Sequence, residues 1–532
     1  MAPAEVLPSK AGRSSALRGG AGTRGPVAPP GAGGPRRSDR SAGTGEVLLG
    51  RTKSAEAEPD DIPDSYTGSH AGDAWANPNR ESTGQCGNAR PLWAPVGSLH
   101  RETRRNRSGS YHPDRMATVC LTELSHEHPT TSPDWWENRV FYRVDIRAFS
   151  DSDADGIGDL EGVRERLGYL ELIGIGAIWL TGVLASPVGR VGHGRDVDPL
   201  VGTIESLEAL LTEAHAADIR IVLDLPVDSA AVSDSGSGHE LAESLRFWTA
   251  CGVDGFRVAA VPGITGALDE ATHSILRVIR SLPGEQHAVP LGGLVRNWRT
   301  EHGMLSELDI GVDMRFSSVP FDAAQIRQVV QSALDDSRAA GSSPVWSLSS
   351  WDYPRPTTRF GGGPAGLAKA RAMALVQFAL PGVIGLDNGT ELGLPESERP
   401  DRTSRHPVRG PIPWEGAEPP FGFSAAPGSW WPTPPSWASS TVEVQLEEPS
   451  STLSLHRNAM ELRRFHETAQ HSTVQWYGAP RGCLAFRCDQ GKLTCALNTS
   501  NETVPAPPGR IVLNSAPLDG DRLPPDTAVW LV

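Results

Sequence analysis

The residues best placed by type and spacing to do chemistry lie in one short run, Asp151-Ser-Asp153-Ala-Asp155-Gly-Ile157-Gly-Asp159. Counted from Asp151, carboxylates stand at positions 1, 3, 5 and 9, and the backbone carbonyl of Ile157 is available at position 7. Hard oxygen ligands at alternating positions around a glycine turn suit Ca²⁺, and Mg²⁺ less well. Four carboxylates this close repel one another unless a cation lies among them, so a structural divalent ion is expected here. The competing reading is a solvated acidic turn. Cys483, Cys488 and Cys495 also lie close together, but no fourth ligand of suitable spacing accompanies them. Six cysteines in so long a chain do not suggest a disulfide framework, and reduced thiols are expected.

The elements that must position such residues begin at Trp135. Strand-like runs at Val140–Phe149, Ala177–Leu180, Ile219–Leu225, Val253–Val258, Ala288–Leu291, Ile310–Met314, Val345–Leu348 and Val383–Leu386 alternate with helical apolar spacing. The helical stretches are Leu160–Leu172, Ile204–His215, Leu241–Ala250, Ile264–Leu282, Ala323–Ala339, Leu367–Ala379 and Leu453–Phe465. This alternation predicts an α/β fold, a (β/α)8 TIM barrel, with a doubly wound sheet as the other possibility. Short β-type runs punctuated by Gly, Pro and Asn after the last helix predict a small C-terminal all-β sandwich. Residues 1–115 are rich in Gly, Pro, Ser, Ala and Arg, and carry 16 basic against 12 acidic side chains. Such a stretch cannot bury enough apolar surface to offset chain entropy, and a disordered N-terminal extension is expected. Met116 offers an alternative start just ahead of the patterned region. The expected division is thus an extension at 1–130, a barrel at 131–466 and the β domain at 467–532.

A formal charge of −15 argues against general nucleic-acid binding. No apolar run of about 18 residues occurs, so no membrane span is expected. The first residues lack the apolar stretch of a secretory signal, which points to the cytoplasm.

Residues 252–263, Gly-Val-Asp-Gly-Phe-Arg-Val-Ala-Ala-Val-Pro-Gly, closely resemble the fourth barrel strand of the alpha-amylase family (glycoside hydrolase family 13), whose pattern is G-V-D-G-F-R-x-D-x. Trp-Trp-Glu-Asn-Arg-Val-Phe-Tyr from Trp135, Arg-Asp-Val-Asp-Pro-Leu-Val-Gly-Thr at 195–203 and Gly-Thr-Glu-Leu-Gly-Leu-Pro-Glu at 389–396 look like its alpha-glucosidase and oligo-1,6-glucosidase branch. So do Pro411-Ile-Pro-Trp414 and Phe421-Gly-Phe-Ser424. The resemblance implies the barrel fold, a divalent-cation loop at Asp151–Asp159, and a site at the C-terminal ends of the strands.

It also implies that the chemistry is incomplete. A retaining glycosidase needs two carboxylates roughly 5 Å apart, one to attack the anomeric carbon and one to protonate the leaving oxygen. The family's nucleophilic aspartate falls on Ala259, and its acid/base glutamate on Gly293. Asp352 matches the transition-state stabiliser, with Trp351 in place of the preceding histidine. Asp224 is kept at strand three, but the sugar-binding histidine beyond it is Ser229. The family's Tyr-Asp pair after strand two aligns with Gly189-Arg190. Asp224, Arg257 and Trp351 are what remains for sugar contact, and Arg257 is expected to pair with Asp224 or Asp352. Asp254 and Glu285 are expected at the opposite end of the barrel. Only about 27 residues separate Leu225 from Val253, where active relatives insert a domain, so an open site is expected. His193 and His239 are expected in exposed loops. The implied protein is inactive or nearly so, serving as a weak α-glucoside binder or a protein-interaction module. The alternative is an active α-glucosidase acting on short α-linked gluco-oligosaccharides.

Overall fold

The computed structural model describes residues 135–137, 139–185, 194–228, 237–261, 291–295, 310–349, 353–397, 409–465, 474–488 and 492–532. At 226–228, 237–239, 258–261, 291–295 and 310–314 it describes only the backbone. The N-terminal extension, the helix expected at 264–282, and Gly189, Arg190, His193, Ser229, Glu285, Trp351 and Asp352 lie outside the described residues.

Eight parallel strands close a barrel in sequence order: β1 (Val140–Asp145), β2 (Ala177–Thr181), β3 (Arg220–Asp228), β4 (Gly255–Val261), β5 (Leu291–Val295), β6 (Ile310–Asp313), β7 (Ser343–Ser347) and β8 (Val383–Asp387). Closure comes from β1 pairing with β8, with Arg143 opposite Asp387. The period-two alternation of a strand decides which residues meet inside. Phe141, Ala177, Val222, Val345 and Val383 form an inner cluster with Trp135 and Trp136, and Trp179 and Tyr353 pack against it. The intervening residues, such as Val140, Tyr142 and Val144, face outward and join the larger core beneath the helices.

Local chemistry sets the helix bounds. Thr203 and Ser206 form a reciprocal capping box at the start of the helix Ile204–Ala216, whose buried Leu207, Leu210, Leu211 and Ala214 repeat at helical spacing. Asp322 caps Ala323–Ala340, and Gly341 at φ 67° closes it.

Four expectations change. The first strand stops at Asp145, because Ile146–Ala148 coils into a 3₁₀ turn that leads toward the acidic loop. The stretch Leu160–Leu172 forms two helices, Leu160–Glu165 and Leu167–Ile173, divided at Arg166. The fifth strand lies at Leu291–Val295, not Ala288–Leu291, so Gly292 and Gly293 sit within it. His239 lies in the helix Ser237–Ala250 and not in a loop, since that helix starts inside the Ser/Gly run.

After the barrel, β9 (Val474–Trp476), β10 (Cys483–Cys488), β11 (Thr494–Asn498), β13 (Ile511–Asn514) and β15 (Thr527–Leu531) form an antiparallel sheet in the order β13-β15-β11-β10-β9. A two-stranded ribbon of β12 (Val504–Pro505) and β14 (Arg522–Leu523) contributes Val504 and Leu523 to a cluster with Ala485, Ala496, Val529 and Leu531. Phe486, Cys495, Leu497 and Trp530 instead join the main core. Among the described residues, no helix is long and apolar enough to cross a membrane.

Candidate functional site

The acidic loop folds around its own carboxylates. Asp151 is buried and accepts from Ala154 N at 2.8 Å, Asp153 N at 3.2 Å and Gly156 N at 2.7 Å. Asp159, also buried, caps the helix that follows: it accepts from Gly162 N at 2.6 Å, Ser152 N at 2.8 Å and Ser152 Oγ at 2.9 Å. Left-handed backbone at Ala154 and Gly156 makes the reversal tight enough to bring these groups together. Carboxylate oxygens of Asp151, Asp153 and Asp159 lie within 4.8 Å of one another. Asp155 stands apart from this group and accepts from Ile157 N at 2.7 Å. Partial desolvation, and then the charges of Asp155, Asp159 and Asp151, raise the Asp153 carboxyl above its ordinary range. Asp151 Oδ2, Asp159 Oδ2 and Asp153 Oδ1 each accept a single backbone bond and keep a second lone pair, so one oxygen from each of the three carboxylates can serve a hard divalent ion.

At the C-terminal end of the barrel, Arg257 on β4 donates to Asp224 Oδ1 on β3 at 2.7 Å, the two residues standing opposite each other in register. The Arg257 guanidinium also lies over the Trp179 ring at 5.0 Å. Ala259 stands opposite Pro226, and Gly293 opposite Gly311. Both follow the rung that pairs Arg257 with Gly292, on the side toward the strands' C-terminal ends. Asp254 is held before β4 by Ile221 N at 2.8 Å, Arg220 at 3.3 Å and His215 at 2.7 Å, at the end away from this site.

Sequence reasoning missed a second set of charges. Asp387 ends β8, is buried, and meets Arg143 Nε at 3.0 Å, Arg409 Nη2 at 2.8 Å and Ser349 Oγ at 2.8 Å. Arg409 reaches Glu396 with its other Nη. Burial alone would raise the Asp387 carboxyl, but Arg143 and Arg409 outweigh it and hold it below its ordinary range. Burial pushes Arg143 down to about 10. Two residues beyond Arg143, Asp145 has its carboxyl raised by burial, with Arg143, Arg147 and Arg409 pulling the other way. The available signal was alternation on β1: Arg143 and Asp145 share the inward parity of Phe141, and a charge at an inward barrel position needs a partner. The arrangement can hold polar groups by hydrogen bonding. It offers two inward carboxyls in different settings: Asp145, which burial raises above its ordinary range, and Asp387, whose oxygens are engaged by Arg143, Arg409 and Ser349.

The family described as the catalytic domain of alpha amylase matches residues 145–234 and 296–472, just over half of the chain. The stretch between those segments carries Ala259 and Gly293. A probable alpha-glucosidase of Rhizobium meliloti is 25% identical over 497 residues, covering 69% of this chain and 90% of the relative. The amino acid transporter heavy chain SLC3A1 of Homo sapiens is 22% identical over 465 residues, covering 64% of this chain and 66% of the relative. Among solved structures, the trehalose-6-phosphate hydrolase of Bacillus licheniformis superposes with a TM-score of 0.62 at 16% identity, over 74% of this chain and 99% of that one.

Proposed function

The chain belongs to the alpha-amylase family, and from that premise we propose that it is an alpha-glucosidase-like member that has lost glycoside hydrolysis. One observation carries the reading: Ala259 and Gly293 stand on β4 and β5 just past the Arg257–Gly292 rung, where the family's two catalytic carboxylates are expected. Retaining hydrolysis needs attack at the anomeric carbon and proton delivery to the leaving oxygen, and neither residue type can do either. The neighbouring charges support this reading, since Arg257 is neutralised by Asp224 and Asp387 by two arginines. The remaining polar groups suit weak binding of an α-glucoside through Asp224, Arg257 and, beyond the described residues, Trp351 and Asp352. A protein-interaction role is the other use, and a relative named for an amino acid transporter heavy chain is consistent with it. The cytoplasm remains the proposed compartment, in keeping with thiols at Cys483 and Cys495.

Asp151, Asp153 and Asp159 are the residues that would hold a divalent ion, Ca²⁺ before Mg²⁺, with Asp155 and the Ile157 carbonyl as further ligands. The ion would supply charge neutralisation in the loop and no catalytic step. The active α-glucosidase reading keeps one specific support, the raised carboxyl of Asp145 at the end of β1.

The test is hydrolysis of p-nitrophenyl α-glucoside and of maltose by the purified full chain, with Asp145→Asn and Asp352→Asn beside it. No turnover above buffer is expected from any of the three. Turnover that disappears in either variant would sink the proposal and identify the stand-in carboxyl.

A further inference from the structure

A second segment of chain lies along the acidic loop. Ile412 N donates to Ala148 O at 3.0 Å, Trp414 Nε1 to Phe149 O at 2.8 Å, and Asp151 N to Phe423 O at 2.8 Å. The contact ends at Trp430, whose backbone N donates to Gly156 O at 2.9 Å and whose indole Nε1 donates to Arg147 O at 2.6 Å. The Arg147 carbonyl also accepts from Gly158 N at 3.0 Å, so Trp430 touches the turn of the loop and the point where its two ends meet. A side chain at Gly156 would come against Gly428 O at 3.5 Å and Ser429 Cα at 3.6 Å. Trp431 Nε1 donates to Ser397 Oγ at 2.7 Å, which fixes the far side of the segment.

We propose that residues 428–431 form a strap whose docking on the Asp151–Asp159 loop is coupled to divalent-cation binding by that loop, with Trp430 as the positioning residue. The proposal deepens the cation reading above and rests on it. Converging carboxylates repel one another, and an ion that draws them together fixes the Gly156 and Arg147 carbonyls that Trp430 holds. Anything that fixes those carbonyls beforehand lowers the ordering cost of binding the ion. Such coupling is reciprocal: the ion tightens the strap by the same factor that the strap tightens the ion. Trp430 is 39% exposed, so its emission will respond to a change in docking.

The experiment uses the full chain stripped with chelator and titrated with CaCl₂. Affinity is read by calorimetry, and docking by tryptophan emission and by hydrogen exchange at the Trp430 amide. In the wild type, calcium is expected to slow exchange at Trp430 and shift the emission, and Asp153→Asn should weaken or abolish both effects. Trp430→Phe keeps a ring but loses the indole donor, and should weaken calcium binding roughly two- to tenfold, the scale of one neutral hydrogen bond. Trp430→Phe matching the wild type in affinity, with exchange at position 430 indifferent to calcium, would overturn the coupling while leaving the cation reading standing. Absence of calcium binding in the wild type would remove both.

Discussion

Asp387 shows how one buried carboxylate is made tolerable. Its desolvation is offset by two arginines and a hydroxyl, and Arg409 is in turn shared with Glu396. A buried pair adds little over an apolar alternative, but removing one partner strands the others' charge. Asp387→Asn should therefore cost about 3–5 kcal/mol of unfolding free energy at neutral pH, measurable by urea denaturation. The pH dependence has a definite sign. The folded-state pKa lies below the unfolded value, so this stabilisation is fully present above the unfolded pKa, about 4, and is lost as pH falls through the lowered folded value. The deficit of the variant should hold from neutral pH down to about 4 and close only below it. A deficit under about 1 kcal/mol at neutral pH would mean that the network is incidental. Asp224 was legible as one of two possible partners of Arg257, with Asp352 the other, because the resemblance set all three at strand ends; the Arg257–Asp224 contact is the one seen among the described residues. Asp387 was not, because its partners come from β1 and from Arg409, distant in sequence and brought together only by closure of the barrel.

At the scale of elements, the helix Thr452–Phe465 packs His456 beside Phe378 of the helix Gly363–Ala379, ring centroids 5.6 Å apart. His456 is buried, with Nδ1 2.9 Å from Thr452 O, and burial pushes its pKa down to about 4. An unfolded histidine titrates near 6.5. Between these values the unfolded chain binds a proton that the folded chain refuses, so this group subtracts stability as pH falls from about 6.5 to about 4. The total is at most roughly 3 kcal/mol. His456→Leu should flatten that part of the stability–pH curve relative to the wild type, and an unchanged slope would refute the assignment. Asp145 and Glu391, whose carboxyls burial raises, act in the opposite sense, so the wild-type-minus-variant difference is the informative quantity. Elements with strong apolar period and good caps were readable from sequence, such as Ile204–Ala216 and Ala323–Ala340. The fifth strand was misplaced because Gly292 and Gly293 carry no side chain to show a period; pairing with β4 and β6 places it.

At the scale of the described chain, the helix Gly363–Ala379 decides whether barrel and C-terminal sheet can be separated. Ala370 and every residue from Ala372 to Ala379 are buried, which no single facing surface could achieve. The sheet covers one side: Trp530 Nε1 donates to Leu375 O at 3.0 Å, and Arg371 Nε donates to Ser515 O at 2.9 Å. Trp530, Phe486, Leu484 and Leu497 are all at most 3% exposed. Burying a large apolar side chain contributes about 1.5–3 kcal/mol, so these four account for roughly 10 kcal/mol, comparable to the whole stability of an ordinary domain. The sheet therefore cannot leave while the barrel stays folded. Heating should give one calorimetric transition for barrel and sheet together, and Trp530→Ala should lower the stability of both by about 3–5 kcal/mol. A chain ending at Phe465 should fail to yield a soluble barrel, because the helix would present its apolar side to water. Two resolved transitions, or a soluble and cooperatively melting truncation, would show instead that the barrel carries its own core and the sheet is an accessory.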